Sequence, residues 1–427
     1  MTAPPATKPG LSAPQGTALT IGALLGTGVM SLPALAVQKA GPASLLAWGL
    51  LLVVSIPLAA TFAALGARHP GGGGVTTYAQ LAFGSRISTM LGWAFFLTIP
   101  LGAPAAAGFG GAYVSNALGQ GQRTTWLVTA LIILLVAGLN WPGLRINATV
   151  QLAIVATLAA ILAVTAIVSL PHSHTGDLHP FAPHGVSGIA GAVAVLIWAF
   201  AGWEVVASLS GEYADPVRDL RRSATAALAI VGVLYLAIAF ATVLVLGSHP
   251  GNAPLSDLLV LGLGDAARPV MTVVAVLLTV GTMNVYFAGA SRLGETLGRA
   301  GVAPRWLQQD GEPRRAMVLI TLLGLAVVGF DVVADEPTSS TLTVATGTFA
   351  LAYVVATGAA VKLLPRGSWA WIAAVVSLVA SIGLVIAVGW PVLVTIAVGL
   401  AGLLWNARRR SATPSAAEPC DYGEGEC

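Results

Sequence analysis

No charged side chain appears between Leu45 and Leu65, between Leu127 and Leu139, or between Val186 and Ala201. A helix needs about 20 apolar residues to cross the hydrocarbon core of a bilayer, and a soluble fold cannot cover so many such runs. Only 9% of the 427 residues are charged while 56% are hydrophobic, against roughly 25% charge in a soluble domain. The chain therefore reads as an all-α integral membrane protein, with no room for a soluble catalytic domain.

Twelve spans of about 20 residues each are expected. They are Ala18–Ala40, Leu45–Leu65, Ile87–Leu118, Thr125–Asn140, Ala148–Leu170 and Gly188–Leu209, then Ala224–Leu246, Val270–Leu297, Ala316–Val333, Leu342–Leu364, Ala370–Val388 and Val392–Leu404. Pro100 and Pro104 mark the third as a candidate for a kink. Arginine and lysine in short loops collect on the cytoplasmic side. With the N-terminus inside, that side receives Lys8, Arg68, Arg86, Arg145, the Arg218–Arg222 cluster, Arg299, Arg305, Arg314, Arg315, Lys362, Arg366 and Arg408–Arg410, whereas the outward loops hold Lys39, Arg123 and Arg268. Both termini are then cytoplasmic, in a cell inner (plasma) membrane. Residues 1–17 form a short leading segment without a cleavable signal pattern, and 408–427 a small, polar tail expected to be disordered.

Two spans are interrupted near their middles, at Gly26-Thr27-Gly28-Val29 and at Trp198-Ala199-Phe200-Ala201-Gly202-Trp203-Glu204. Backbone unwound in the bilayer is tolerated only beside a cavity or ligand, because lipid satisfies neither amide nor carbonyl. Paired interruptions in oppositely directed helices are the mark of an inverted-repeat transporter. Half-helix N-termini favour an anion and C-termini a cation. A zwitterion would place its carboxylate at the Gly26–Gly28 amides and its ammonium at carbonyls around Trp198 to Phe200. The competing reading is that Gly22 and Gly26 form a GxxxG helix-packing pair.

Glu204 is the acid placed well inside a span, and such a charge costs at least about 2.5–3.5 kcal/mol to insert. It is a candidate for proton coupling, or else a protonated side chain tying two helices. Asn284 and Tyr286 either line the cavity or join helices. No acid or base besides Glu204 is available to neutralise a charged substrate side chain, so an apolar neutral one is expected.

Other features carry less. The glycine run 71–74 lacks the Lys-Ser/Thr of a phosphate loop. His172, His174, His179 and His184 crowd a proline-rich loop at spacings that fit no metal site. Cys420 and Cys427 sit in the tail, and the sequon at Asn147 falls near the cytoplasmic face. No enzyme motif is present, and neither metal, cofactor nor nucleic acid is expected.

In order along the chain stand Gly26-Thr27-Gly28-Val29; Arg68-His69-Pro70 with Gly71–Gly74 and Ala82-Phe83-Gly84; Phe200-Ala201-Gly202-Trp203-Glu204 with Ser210-Gly211-Glu212 and Asp215-Pro216; and Ala290-Ser291-Arg292-Leu293 leading to Ala303-Pro304. On these pieces the chain resembles the amino acid–polyamine–organocation (APC) superfamily of permeases over nearly its whole length. The stretches Leu24–Val29 and Ile99–Ala106, with Asn284 and Tyr286, look most like the bacterial methionine and branched-chain amino acid exporters.

The resemblance implies five plus five inverted helices over 18–364, with helices 1 and 6 discontinuous, and two peripheral helices over 365–407. It implies alternating access around a midplane site in which Thr27 and Gly28 meet the substrate carboxylate. Trp198 would be the gating aromatic, Gly202 and Glu204 the broken-helix elements, and Tyr286 an aromatic wall. The fifth helix lacks the lysine that stands in for sodium in some proton-coupled relatives. The function expected is secondary transport of methionine, leucine, isoleucine or valine, as proton-coupled efflux. The alternatives are an importer or exchanger on the same scaffold. A channel is disfavoured by the scarcity of polar residues in the helices, and a sensor by the lack of a signalling domain.

Overall fold

The computed structural model describes residues 11–70, 74–141, 148–208, 210–213, 215–309, 313–339 and 341–412. Lys8, the glycines at 71–73, Arg145, Asn147 and the tail from 413 with both cysteines lie outside the described residues. Within the described residues the structure is all helical, its only β pairing being an isolated bridge between Leu11 and Tyr213.

The helices run α1 (Ala13–Leu24), α2 (Gly28–Ala40), α3 (Ser44–Arg68), α4 (Gly74–Phe83), α5 (Ser85–Ala117), α6 (Gln122–Asn140), α7 (Ala148–Ser169) and α8 (Gly185–Phe200). They continue as α9 (Trp203–Ser208), α10 (Pro216–Leu246), α11 (Pro254–Leu263), α12 (Ala267–Arg299), α13 (Arg314–Ala334), α14 (Leu342–Leu363), α15 (Trp369–Val388) and α16 (Pro391–Ala412). Nine helical stretches among the described residues are long and apolar enough to cross a membrane, and α8, α11 and residues 391–406 of α16 are shorter apolar helices. The expected count was twelve. The difference arises partly because α2 and α3 run together as one stretch, 28–68, and partly because α8 has only 16 residues.

The outer surface is what lipid requires. On α3, Leu46, Leu50, Val53 and Ile56 are 49–63% exposed and recur every three or four residues, so one face of the helix is bare hydrocarbon. Several helices repeat this, far beyond the apolar patch a soluble monomer tolerates. α5 keeps helical form through Pro100 and Pro104, as the crowded interior of a membrane bundle permits.

The interior is aromatic. Trp48 on α3 packs against Tyr235 on α10 with ring centroids 5.0 Å apart, and Phe200 meets the same tyrosine at 5.5 Å. Phe62 and Tyr353 meet edge-on at 5.8 Å. This core holds the α1/α2 and α8/α9 pairs against α3, α10 and α14.

Candidate cavity between two helix interruptions

Leu25, Gly26 and Thr27 separate α1 from α2, and Ala201 and Gly202 separate α8 from α9. The interruptions lie against each other. Gly202 has φ +142°, and a Cβ there would stand 3.1 Å from Leu24 Cδ2 and 3.2 Å from the Ala23 carbonyl carbon. Only glycine takes this conformation without strain and also lets the two backbones meet.

The backbone groups released at the two gaps are treated unequally. The amides of Gly26 and Thr27 have no hydrogen-bond partner among the described residues. The carbonyls are filled from within the protein. The Tyr235 hydroxyl donates to the Leu24 carbonyl and also lies 3.0 Å from the Ala199 carbonyl. The Tyr353 hydroxyl donates to the Phe200 carbonyl at 2.9 Å, and the Ala201 amide donates to the Trp198 carbonyl at 3.3 Å. Of the three carbonyls expected to meet an ammonium group, those of Trp198 and Phe200 each carry one internal bond and that of Ala199 shares the single Tyr235 proton with Leu24, so each keeps a lone pair free.

Beside the gaps lies a cavity holding about 570 Å³ of space free of protein atoms, its opening included. The gap residues Gly26, Thr27 and Gly28 form one wall together with Ala23, Leu24, Trp198 and Ala201. Facing them are Thr98, Ile99, Gly102, Ala103 and Ala106 of α5, Thr282, Met283, Tyr286 and Phe287 of α12, and Phe349 of α14. The wall is mostly hydrocarbon and aromatic ring, with hydroxyls at Thr27, Thr98, Thr282 and Tyr286, and no Asp, Glu, Lys, Arg or His among its residues.

Trp198 touches both sides of this arrangement. Its ring stands edge-on to Phe349, centroids 6.2 Å apart at 87°. A Cβ at Gly28 would lie 2.8 Å from Trp198 Cδ1, and one at Gly102 would lie 3.0 Å from the far edge of the same ring. A side chain at Gly28 would overlap the indole, and one at Gly102 would press on it.

Of the residues singled out from sequence, Gly26, Thr27, Gly28, Trp198 and Tyr286 come together on the cavity wall. Phe200 does not: its ring turns away to Trp48 and Tyr235. Gly202 sits behind the wall against Ala23 and Leu24. Asn284 is buried off the cavity, its Oδ1 accepting from Asn140 Nδ2 at 2.6 Å, which joins α12 to α6. Interhelical bonds of this kind average about 0.6 kcal/mol, with a ceiling near 1.7. Asn284→Ala should accordingly lower thermal stability by about that amount while leaving substrate affinity within twofold. A tenfold loss of affinity would put the side chain back at the substrate.

Glu204 lies just outside the wall. Its Oε2 accepts the Gly202 amide at 3.0 Å and lies 3.2 Å from the Tyr353 hydroxyl. That hydroxyl has one proton and two acceptors, Glu204 and the Phe200 carbonyl. When Glu204 is ionised, Tyr353 donates to it. When Glu204 is protonated, it donates to Tyr353 and frees the phenolic proton for Phe200. The charge on Glu204 would thereby bear on which of its two acceptors the Tyr353 hydroxyl serves. Glu204 is also not the sole acid of the helices: it is half-buried, whereas Asp331, in the last turns of α13, is fully buried.

Sequence reasoning missed Tyr235, Tyr353 and Phe349. It had noted Ile99–Ala106 only as a likeness. Residues 99, 102, 103 and 106 are one face of a helix by their spacing, and that face is the cavity wall. Phe349 gave no signal.

The sequence profile of the family described as amino acid permease matches residues 11–401. The chain belongs to the amino acid permease family. It is 31% identical over 401 residues to the uncharacterised amino acid permease YecA of Bacillus subtilis, covering 92% of this chain and 94% of that one. It is 30% identical over 426 residues to the L-methionine/branched-chain amino acid exporter YjeH of Escherichia coli, covering 94% and 96%. A probable GABA permease of Pseudomonas aeruginosa is 26% identical over 375 residues, covering 80% of this chain and 76% of that one. This permease is a multi-pass membrane transporter of the APC superfamily and not an enzyme.

Proposed function

We propose that this permease is a secondary active transporter of neutral, apolar L-amino acids, with methionine, leucine, isoleucine and valine as substrates, working as a proton-coupled exporter in the plasma membrane. The observation that carries the reading is the cavity itself: charge-free, walled by Ile99, Met283, Phe287 and Phe349, with unpaired amides at Gly26 and Thr27 on one side. A carboxylate would bond to those amides, the ammonium group would take the spare lone pairs and hydroxyls, and the side chain would lie among the apolar residues. Asn284 and Phe200 support the site from behind, and Gly202 sets the approach of the two gaps.

Reading α1/α2 and α8/α9 as two broken spans, and α3, α5, α6, α7, α10 and α12–α16 as single ones, gives twelve crossings. Both termini are then cytoplasmic. Residues 18–364 make the five-plus-five inverted core, 365–407 the peripheral pair, and 1–17 and 408–427 the flanking cytoplasmic segments. The core would alternate access about the cavity, and the Glu204–Tyr353–Phe200 exchange would tie the proton to the broken helix. Export rather than import rests on the likeness to the exporter YjeH; an importer or exchanger would use the same cavity.

The test is efflux from proteoliposomes loaded with labelled amino acids, with and without a pH gradient. Methionine and leucine should leave faster down the gradient's driving direction. Arginine and glutamate should be excluded by about a hundredfold, since an unpaired charge in such a place costs at least about 2.5 kcal/mol. Transport of a charged substrate at comparable rate would refute the assignment, and gradient-driven entry instead of exit would make the protein an importer.

A further inference from the structure

A second recess lies away from the cavity, between α1, the first half of α7 and the start of α10. Its open groove holds about 960 Å³ of space free of protein atoms, open side included. Thr17 and Ile21 of α1, Val155 and Ala159 of α7, and Ala226 and Ile230 of α10 line it, with Arg222 as the one charged residue among its lining.

The register of α10 orders these groups. Arg218, Arg222, Ala226 and Ile230 are four residues apart, so they share a face of the helix. Two guanidinium groups lead into an apolar rail about 12 Å long, at 1.5 Å per residue from Arg222 to Ile230. Arg222 is exposed and makes no hydrogen bond or ion pair with its side chain among the described residues. Asp219, one turn away, forms no ion pair with it.

The rail belongs to stretches long and apolar enough to cross the membrane, 155–172 and 216–246, so hydrocarbon rather than water is its natural filling. The free guanidinium at its end calls for an anion, and arginine pairs bidentately with phosphate. Basic recesses between transmembrane helices take anionic headgroups. We propose that this groove binds an anionic phospholipid, its phosphate at Arg222 and an acyl chain lying between α1, α7 and α10. A zwitterionic lipid would fill the rail but bring its own cation toward the arginines. Ile21 is one turn from the end of α1, so the bound chain would press on the half-helix that ends at the α1–α2 interruption.

Native mass spectrometry of the purified full-length protein, titrated with phosphatidylglycerol or phosphatidylcholine of identical chains, tests this. Phosphatidylglycerol should bind more tightly. Arg222→Gln should weaken it about fivefold, the worth of one arginine at an anionic surface, and leave phosphatidylcholine unchanged. Ala226→Trp, which fills the rail, should reduce both lipids. Arg222 is exposed, so its substitution leaves the fold intact and decides the matter even if Ala226→Trp does not fold. Equal binding of the two lipids by the unaltered protein would overturn the proposal, as would a phosphatidylglycerol preference that survives Arg222→Gln.

Discussion

Gly28→Leu is expected to abolish methionine and leucine binding, with affinity falling by at least a hundredfold while the protein remains monodisperse in detergent. A Cβ at this position would already lie 2.7 Å from Leu32 Cδ1 and 2.8 Å from Trp198 Cδ1. The rest of a leucine side chain has nowhere to go except the cavity. Burying an apolar substrate side chain is worth about 1.5–3 kcal/mol, and each charge-assisted bond from a carboxylate to a backbone amide adds roughly 1.5–3 kcal/mol. Losing both accounts for more than two orders of magnitude. The atoms displaced belong to the side chains of Leu32 and Trp198 and not to backbone, so the bundle itself should survive. Equilibrium binding of labelled methionine to purified protein is the measurement; retained affinity would place the substrate elsewhere.

Glu204→Gln is expected to uncouple efflux from the pH gradient while leaving exchange of methionine across the membrane in place. Glutamine still offers an acceptor to the Gly202 amide, now 3.0 Å from Oε2. The same Oε2 also faces the Tyr353 hydroxyl, so the glutamine carbonyl oxygen at that place accepts from both neighbours while the amide nitrogen takes the other branch. The variant keeps the acceptor at that place but carries no charge and has no proton to bind or release. Tyr353→Phe removes the relay from the other side and should produce the same loss of gradient response, with an additional loss of stability from the unpaired Phe200 carbonyl. Gradient-driven efflux at the unaltered rate in Glu204→Gln would remove the carboxyl from the coupling mechanism.

These two experiments probe parts of the site that were unequally legible. Gly26, Thr27 and Gly28 stood out because two glycines and a threonine interrupt an apolar run where lipid forbids loose backbone. Glu204 stood out because a carboxyl in such a run is costly. Both signals are local, contained in a few consecutive residues. The groups that complete the site are remote. Tyr235 reaches back 211 residues to Leu24, Tyr353 reaches 153 residues to Phe200, and Asn140 is 144 residues from Asn284. A polar residue in an apolar helix announces that it needs a partner without saying which one. For that reason Asn284 and Tyr286, two residues apart, looked equivalent, yet one faces Asn140 and the other the cavity.

By itself, the order of residues determined that the chain is helical and lives in a bilayer, because apolar runs near the length of the hydrocarbon core admit no other solution. It also determined where the backbone would break, because glycine at those points removes the steric barrier. Tertiary structure alone decided which released groups keep no partner among the described residues and which are closed by tyrosine hydroxyls. It also decided that α5, α12 and α14 supply the opposing wall. Those outcomes depend on distances between helices far apart in the chain, which packing sets and no local pattern encodes.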